Sequence, residues 1–445
     1  MHRYGHSVYC NLQGCIALNV SGRQQKELSM MFCKNYSFCL LAAAFLSPLL
    51  ASALEIKGSM NRSSGLYRCG EIATFRFHVS DDSEKPLTEG QITLELSNDG
   101  GKLFAAKTFD LAKEPEPELS GTMTSPGFLR CRALIKKEGR TIWKSEAAGY
   151  EVERITPGAE PPEDFKSFWD HAVSQAEKTP LDPEIKEIHH LSTAKYTCYK
   201  VSFANFDERV YGFLTMPKRA GPFSALISVP GAGRGFGVPR YSRYAEQGVA
   251  VLEMNVLPFD PSPDIKELER QYQKSYYGYF LKNTDHREKY FYYKAILGIN
   301  RSVNWLAGRA DIAAGRIGYF GQSQGGAFGF FLGGLNPHIN AVLVCVPAMC
   351  DFFAKNKDRQ PGWPQLSNLQ TAPYYDCVNF ARYMKCPFTI YVGFGDISCT
   401  PSSNYAAYNA VPSEKKVINK IGMGHTIPPD YYRELEQMVK YLKNK

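Results

Sequence analysis

The chain has no CxxC pair and no cluster of histidines with cysteines, so the spacing that marks a structural zinc site is missing. Lysines and arginines are nowhere concentrated, which leaves a nucleic-acid partner without its electrostatic footprint. No stretch reaches the roughly 20 apolar residues of a membrane-spanning helix, so stable membrane insertion is not expected. The glycine-rich "PGAGRGFG" at 230–237 lacks the Lys-Ser/Thr ending of a phosphate-binding loop, which argues against nucleotide. Internal repeats and low-complexity segments are also absent. These gaps point away from metal, cofactor, nucleic acid and bilayer.

What remains is a globular composition. The 445 residues are 44% hydrophobic and 13% aromatic, enough for two domains with a sizeable core. The formal net charge is +8, and Arg3, Arg23, Lys26 and Lys34 against Glu27 account for three of those charges. Residues 1–53 read as a leader. Lys34 precedes an apolar run from Phe38 to Leu50, and Ala51-Ser52-Ala53 gives the small-x-small pattern of a signal cleavage site. A signal peptide starting at Met30 or Met31 implies export, to a periplasm or the medium. The 29 residues before Met30 read as an upstream start-codon artefact or a long leader. Of the twelve cysteines, Cys10, Cys15, Cys33 and Cys39 fall in this leader. Among the other eight, Cys69 and Cys131 are a candidate disulfide, with buried free thiols as the alternative.

Residues 54–155 alternate short β-rich runs with turns: "IATFRFHVS", "GQITLELSNDGG", "FLRCRALIKKEG", "AAGYEVERI". That spacing predicts a small β-sandwich with no catalytic residue of its own. A proline-rich linker then feeds an amphipathic helix starting near Glu163, and a second domain is expected over 156–445. It opens with a hairpin, "YKVSFANF" and "VYGFLTMP", turning at Asp207-Glu208. After it, near-continuous apolar runs alternate with helical patterns: "SALISVPG", "GVAVLEMNV", "RIGYFG", "INAVLVCVPA", "PFTIYVGFGD" and "KKVINKIGMGH". Such runs suit parallel strands covered on both faces. The fold class is therefore α/β, an α/β-hydrolase arrangement with a mostly parallel sheet.

Within it, "GYFGQSQGGAFG" at 318–329 sets one serine among five glycines. Gly321-Gln322-Ser323-Gln324-Gly325 fits G-x-S-x-G between a predicted strand and a helix-compatible run, the context of a nucleophile elbow. A serine nucleophile needs a base for its proton and a carboxylate to orient that base, and in this fold they follow in the order Ser, Asp/Glu, His. His425, just past the last predicted strand, is the candidate base. The other downstream histidine, His338, has a surface-turn context. Asp396 closes a strong apolar strand and is the favoured acid, with Asp351 and Asp376 as rivals. The oxyanion donors expected are the backbone amides of Gln324 and, within a residue either way, Ala232.

Taken together, "PEDFKSFW", "VSFANFDERVYGFLTMP", "RIGYFGQSQGG", "YYDCVNFARYMKCP", "GFGDISCTPSSNYAAYN" and "GMGH" resemble the acetyl xylan esterase / cephalosporin C deacetylase family of α/β-hydrolases over roughly 160–445. The resemblance implies a triad of Ser323, Asp396 and His425 and no cofactor. It also likens the N-terminal β segment to an accessory domain found before some bacterial members. The chain departs from the family pattern at Pro230-Gly231-Ala232, at Val256-Leu257-Pro258 and at Thr426 after the base. Each departure alters a support or a pocket wall and removes no triad member.

The function expected is a serine carboxylesterase that takes acetyl groups off oligo- or polysaccharide; a homo-oligomer is compatible with it. A lipid esterase or peptidase on the same fold is the enzymatic alternative, and a non-catalytic carbohydrate-binding protein is the third. The aromatic stretch 272–293 is expected either to cover the pocket, where tyrosines could stack on sugar, or to be packed as core.

Overall fold

The computed structural model describes residues 54–445 apart from 367 and 369; the expected leader at 1–53 lies outside them. The first part of the described residues, up to Tyr150, is all β. Strands β1 (Glu55–Met60), β2 (Leu66–Tyr67), β3 (Ala73–Ser80), β4 (Gln91–Asn98), β5 (Leu103–Asp110), β6 (Glu118–Gly121), β7 (Gly127–Lys137) and β8 (Arg140–Tyr150) form two sheets. One has the order β1-β3-β6, the other β2-β8-β7-β4-β5. Alternation explains them: Phe75, Phe77, Val79, Ile92, Leu94, Leu96, Leu129, Cys131 and Ala133 turn to a shared core, and the residues between face outward. The sequence runs locate β3, β4 and β7. The last run is corrected: β8 starts at Arg140 and stops at Tyr150, where Glu151 (φ 42°) turns the chain into a 3-10 segment.

Cys69 and Cys131 do not pair; all eight described cysteines are free thiols. Cys131 points into the sandwich core and Cys69 sits at its rim beside Glu151. Burial pushes the Cys131 thiol far up, so it behaves as a small apolar side chain.

The second architecture is a nine-stranded sheet. Its strands are β9 (Glu184–Glu187), β10 (Tyr196–Asn205), β11 (Glu208–Pro217), β12 (Phe223–Ser228), β13 (Val249–Met254), β14 (Ile312–Gln322), β15 (Ile339–Cys345), β16 (Phe388–Gly393) and β17 (Lys415–Lys420). The order is β17-β16-β15-β14-β12-β13-β11-β10-β9. The β10–β11 hairpin is antiparallel and so is β11 to β13, while β12 through β17 pair in parallel. This is the mostly parallel sheet that the apolar runs predict.

Helices α1 (Phe165–Glu177), α2 (Arg243–Glu246), α3 (Ile265–Ser275), α4 (Phe291–Ala307), α5 (Gln324–Leu335), α6 (Cys377–Ala381), α7 (Pro401–Ala410) and α8 (Tyr431–Asn444) complete the chain. Successive strand residues serve opposite faces. Ala225, Ile227, Leu252, Tyr319, Val344 and Ile390 join the core with α1, α4, α5, α6 and α7, whereas Leu226, Val251, Phe320, Leu343 and Tyr391 meet α2 and α8. Hence both faces must be apolar, and the strands read as continuous hydrophobic runs. Among the described residues no helix is long and apolar enough to cross a membrane.

Candidate active site

Ser323 stands between β14 and α5 with φ 55° and ψ −121°, a conformation that side chains rarely adopt. The backbone around it is over-determined. Its N–H donates to the Cys345 carbonyl (3.0 Å), and its own carbonyl accepts from Ala327 (3.0 Å) and Ala348 (2.9 Å). Two of the flanking glycines are obligatory. A Cβ on Gly321 would lie 2.5 Å from the Gly325 carbonyl oxygen, and one on Gly325 would lie 2.1 Å from that of Val229. Strand, helix and the loop after β12 meet too tightly for any side chain, which is why glycine surrounds this serine.

The hydroxyl of Ser323, half-buried, lies 2.9 Å from His425 Nε2, and His425 Nδ1 lies 2.7 Å from Asp396 Oδ2. His425 comes from the loop after β17 and Asp396 from the loop after β16. Asp396 is fully buried, and its other oxygen accepts from the amides of Ser398 (2.8 Å) and Cys399 (3.0 Å). Burial works against the imidazolium of His425. The hydrogen bond and the charge of Asp396 together outweigh it and hold the pKa above the ordinary histidine value.

Neither rival acid reaches the imidazole. Asp351 accepts from the Gly158 amide (2.7 Å) and pairs with buried Arg359 (3.1 Å). Asp376 caps α6 and accepts from the amides of Asp351, Phe352 and Val378; burial first, then the Asp351 charge, push its pKa up to about 7. His338 lies exposed in the turn before β15.

Gln324 is the first residue of α5, so its amide is among the unpaired donors at that helix N-terminus. Its side chain, which sequence reasoning did not single out, is also fixed. Oε1 accepts from the hydroxyls of Tyr279 and Tyr292 (2.6 Å for the latter), and Nε2 donates to the Pro230 carbonyl (3.2 Å). Ala232 lies two residues past that carbonyl, exposed on the loop after β12. The aromatic stretch is thereby resolved in favour of packing: Tyr279, Tyr290 and Tyr292 are almost wholly buried, and Tyr277 alone among its tyrosines is widely exposed. Phe280 instead meets Trp363, ring centroids 4.4 Å apart.

One group among the described residues has metal-ligand chemistry within reach. Ligand atoms of Asp396, Cys399 and His425 lie within 4.8 Å of one another, though two of the three residues are already joined in the hydrogen-bonded chain to Ser323.

A family model described as acetyl xylan esterase matches residues 150–361 and 353–445, more than half of the chain. The acetyl esterase Axe7A of Xylanibacter ruminicola is 29% identical over 340 residues, covering 73% of this chain and 76% of that protein. Among solved structures, an acetyl xylan esterase from Paenibacillus sp. R4 superposes with a TM-score of 0.55 at 20% identity, over 65% of this chain and 98% of its own. Acetyl xylan esterase 1 from Thermoanaerobacterium sp. gives the same TM-score and identity over 66% and 98%. These two likenesses concern the fold, and both sheets N-terminal to residue 150 fall outside the ranges of the family model.

Proposed function

The chain belongs to the acetyl xylan esterase family and is a carboxylic ester hydrolase, and from that premise we propose that it removes acetyl groups from carbohydrate through an acyl-enzyme on Ser323. The observation that carries this reading is the unbroken chain Ser323 Oγ to His425 to Asp396, with the serine held in the strained elbow. In the first step Oγ attacks the acetyl carbonyl while Nε2 takes its proton. Asp396 keeps Nδ1–H oriented and stabilises the imidazolium. The amides of Gln324 and Ala232 receive the oxyanion, and collapse expels the sugar alcohol, which leaves with the proton from His425. Water, deprotonated by His425, then releases acetate and restores the hydroxyl. We place this activity outside the cytoplasm, on the strength of the leader pattern at 34–53.

Acetate release from acetylated xylan, acetylated mannan, acetylated pectin and small acetyl sugars tests the substrate class, alongside chromogenic esters of rising chain length. We expect carbohydrate deacetylation, with kcat/KM falling from acetyl to butyryl and negligible at octanoyl. An open apolar trough would instead add about 0.8 kcal/mol of binding per methylene. Activity that climbs through octanoyl would make this a lipid esterase.

A further inference from the structure

The two loops that bring acid and base to Ser323 do not rest on the α/β architecture alone. Both lie against the β7–β8 pair of the N-terminal sheets. From β7, Arg130 donates to the main-chain carbonyl of Asp396 (3.3 Å), and the Phe128 ring meets Phe394 edge-on, centroids 4.9 Å apart. From β8, Lys144 donates to the Gly422 carbonyl (2.9 Å), three residues before His425. Glu146 lies beside the same glycine, and the Ser145 carbonyl is so near Gly395 that a Cβ there would stand 3.0 Å from it. The turn after β4 adds Asp99, completely buried against Ser402 in the first turn of α7 and within the field of Arg130 and Arg359.

Arg130 is the unusual member. It is 8% exposed, and its Nε has no hydrogen-bond partner among the described residues. Placing a guanidinium there carries a desolvation penalty, which apolar side chains in place of Arg130 and its charge partner Asp99 would avoid. Stability is therefore a poor explanation for it, and geometry is a better one. The carboxylate of Asp396 is oriented by amides of its own loop, whereas its carbonyl is gripped from across the junction. That grip fixes the peptide plane following Asp396, and with it the direction from which Oδ2 meets Nδ1.

We propose that Arg130 is a positioning residue for the catalytic acid, so that the N-terminal sheets complete the active site as well as preceding it. The inference rests on the reading of Asp396 as the triad acid. Displacing a catalytic group by about 1 Å can cost on the order of a hundredfold in rate. The loss falls on kcat, because Asp396 stabilises charge that develops only after substrate is bound.

The test uses the full chain and a small chromogenic acetyl ester, with Arg130→Met, Arg130→Lys, Ser323→Ala and the control Arg132→Gln. Arg132 lies on the same strand, half-exposed and paired with Glu95. We expect Arg130→Met to lower kcat at least about tenfold with KM within about twofold, and Arg130→Lys to recover part of the loss. Arg132→Gln should match the wild type. A melting temperature that falls while kcat stays unchanged would make Arg130 a mere junction brace and overturn the proposal. If Arg130→Met does not fold, Arg130→Lys decides: kcat reduced at least about threefold at constant KM supports the proposal, and unchanged kcat overturns it. Activity retained by Ser323→Ala would remove the triad reading itself, an outcome separate from any result at Arg130.

Discussion

His425 can accept a proton only while its imidazole is neutral, and the pH at which that holds is set by burial, which lowers the pKa, and by Asp396, which raises it by more. Because the pKa is raised, the acid limb of the kcat/KM profile should lie above the ordinary histidine value of about 6.5. The same shift supports the fold below about pH 6.5, and this contribution fades as pH climbs through the raised pKa. Asp396→Asn should move the limb down and cut activity roughly ten-thousandfold, as in a related triad, through the wrong imidazole tautomer. Asp351→Asn should stay within about tenfold of wild-type activity yet lower the melting temperature, because it strips buried Arg359 of its countercharge. Breaking a buried pair of this kind costs about 3–5 kcal/mol. Kinetics and thermal denaturation on the two variants separate the roles, and the opposite ranking would transfer the acid to Asp351.

Elements differ in how plainly the sequence announces them. β12 to β16 and the elbow were legible because strands covered on both faces must be apolar and because glycine density has few other causes. Within the N-terminal sheets, β5 is an edge strand whose "LFAAK" is exposed, and in the first half of β8, "RTIWK", only Ile142 packs against the core; neither carries the alternation that betrays a half-buried strand. The anchoring of Gln324 was invisible for another reason. Its partners Tyr279 and Tyr292 lie 45 and 32 residues earlier, and only the crossing of α4 and the preceding 3-10 segment beside α5 brings them in. That contact predicts an effect of its own. Tyr279→Phe with Tyr292→Phe should destabilise by about 1–3 kcal/mol through one unpaired buried amide oxygen, and should lower kcat by loosening the turn behind Ser323. Urea denaturation and steady-state kinetics check the two halves. A double variant with wild-type values for both would make the contact incidental.

Across the molecule, the sandwich and the α/β sheet pack as one unit over the described residues, and the meeting of the two is charged as well as apolar. Glu146, 2% exposed, has its pKa pushed up to about 7 by burial, against the opposing influence of Lys144. An unfolded glutamate titrates near about 4.3. Between those values the native chain holds a proton that the unfolded chain has lost, so stability declines as pH rises from about 4.3 to about 7 and stays lower above. Glu253 and Asp376, with pKa values also raised to about 7, act in the same sense. Glu146→Gln should therefore flatten part of the slope of melting temperature against pH, with its largest gain above pH 7. A slope identical to that of the wild type would mean that Glu146 is not buried as described.

The unpaired sulfurs have a practical consequence. Seven of the eight cysteines beyond residue 53 are buried, and Cys69 alone is partly open. A thiol-labelling reagent should accordingly find at most one of these eight in the native protein and all of them in denaturant, so the protein carries its own stopwatch. Cys131 reports opening of the sandwich, whereas Cys345 and Cys399 report release of the sheet end that holds Ser323 and Asp396. Labelling rates followed by peptide mass would show whether the two architectures come apart together or in turn.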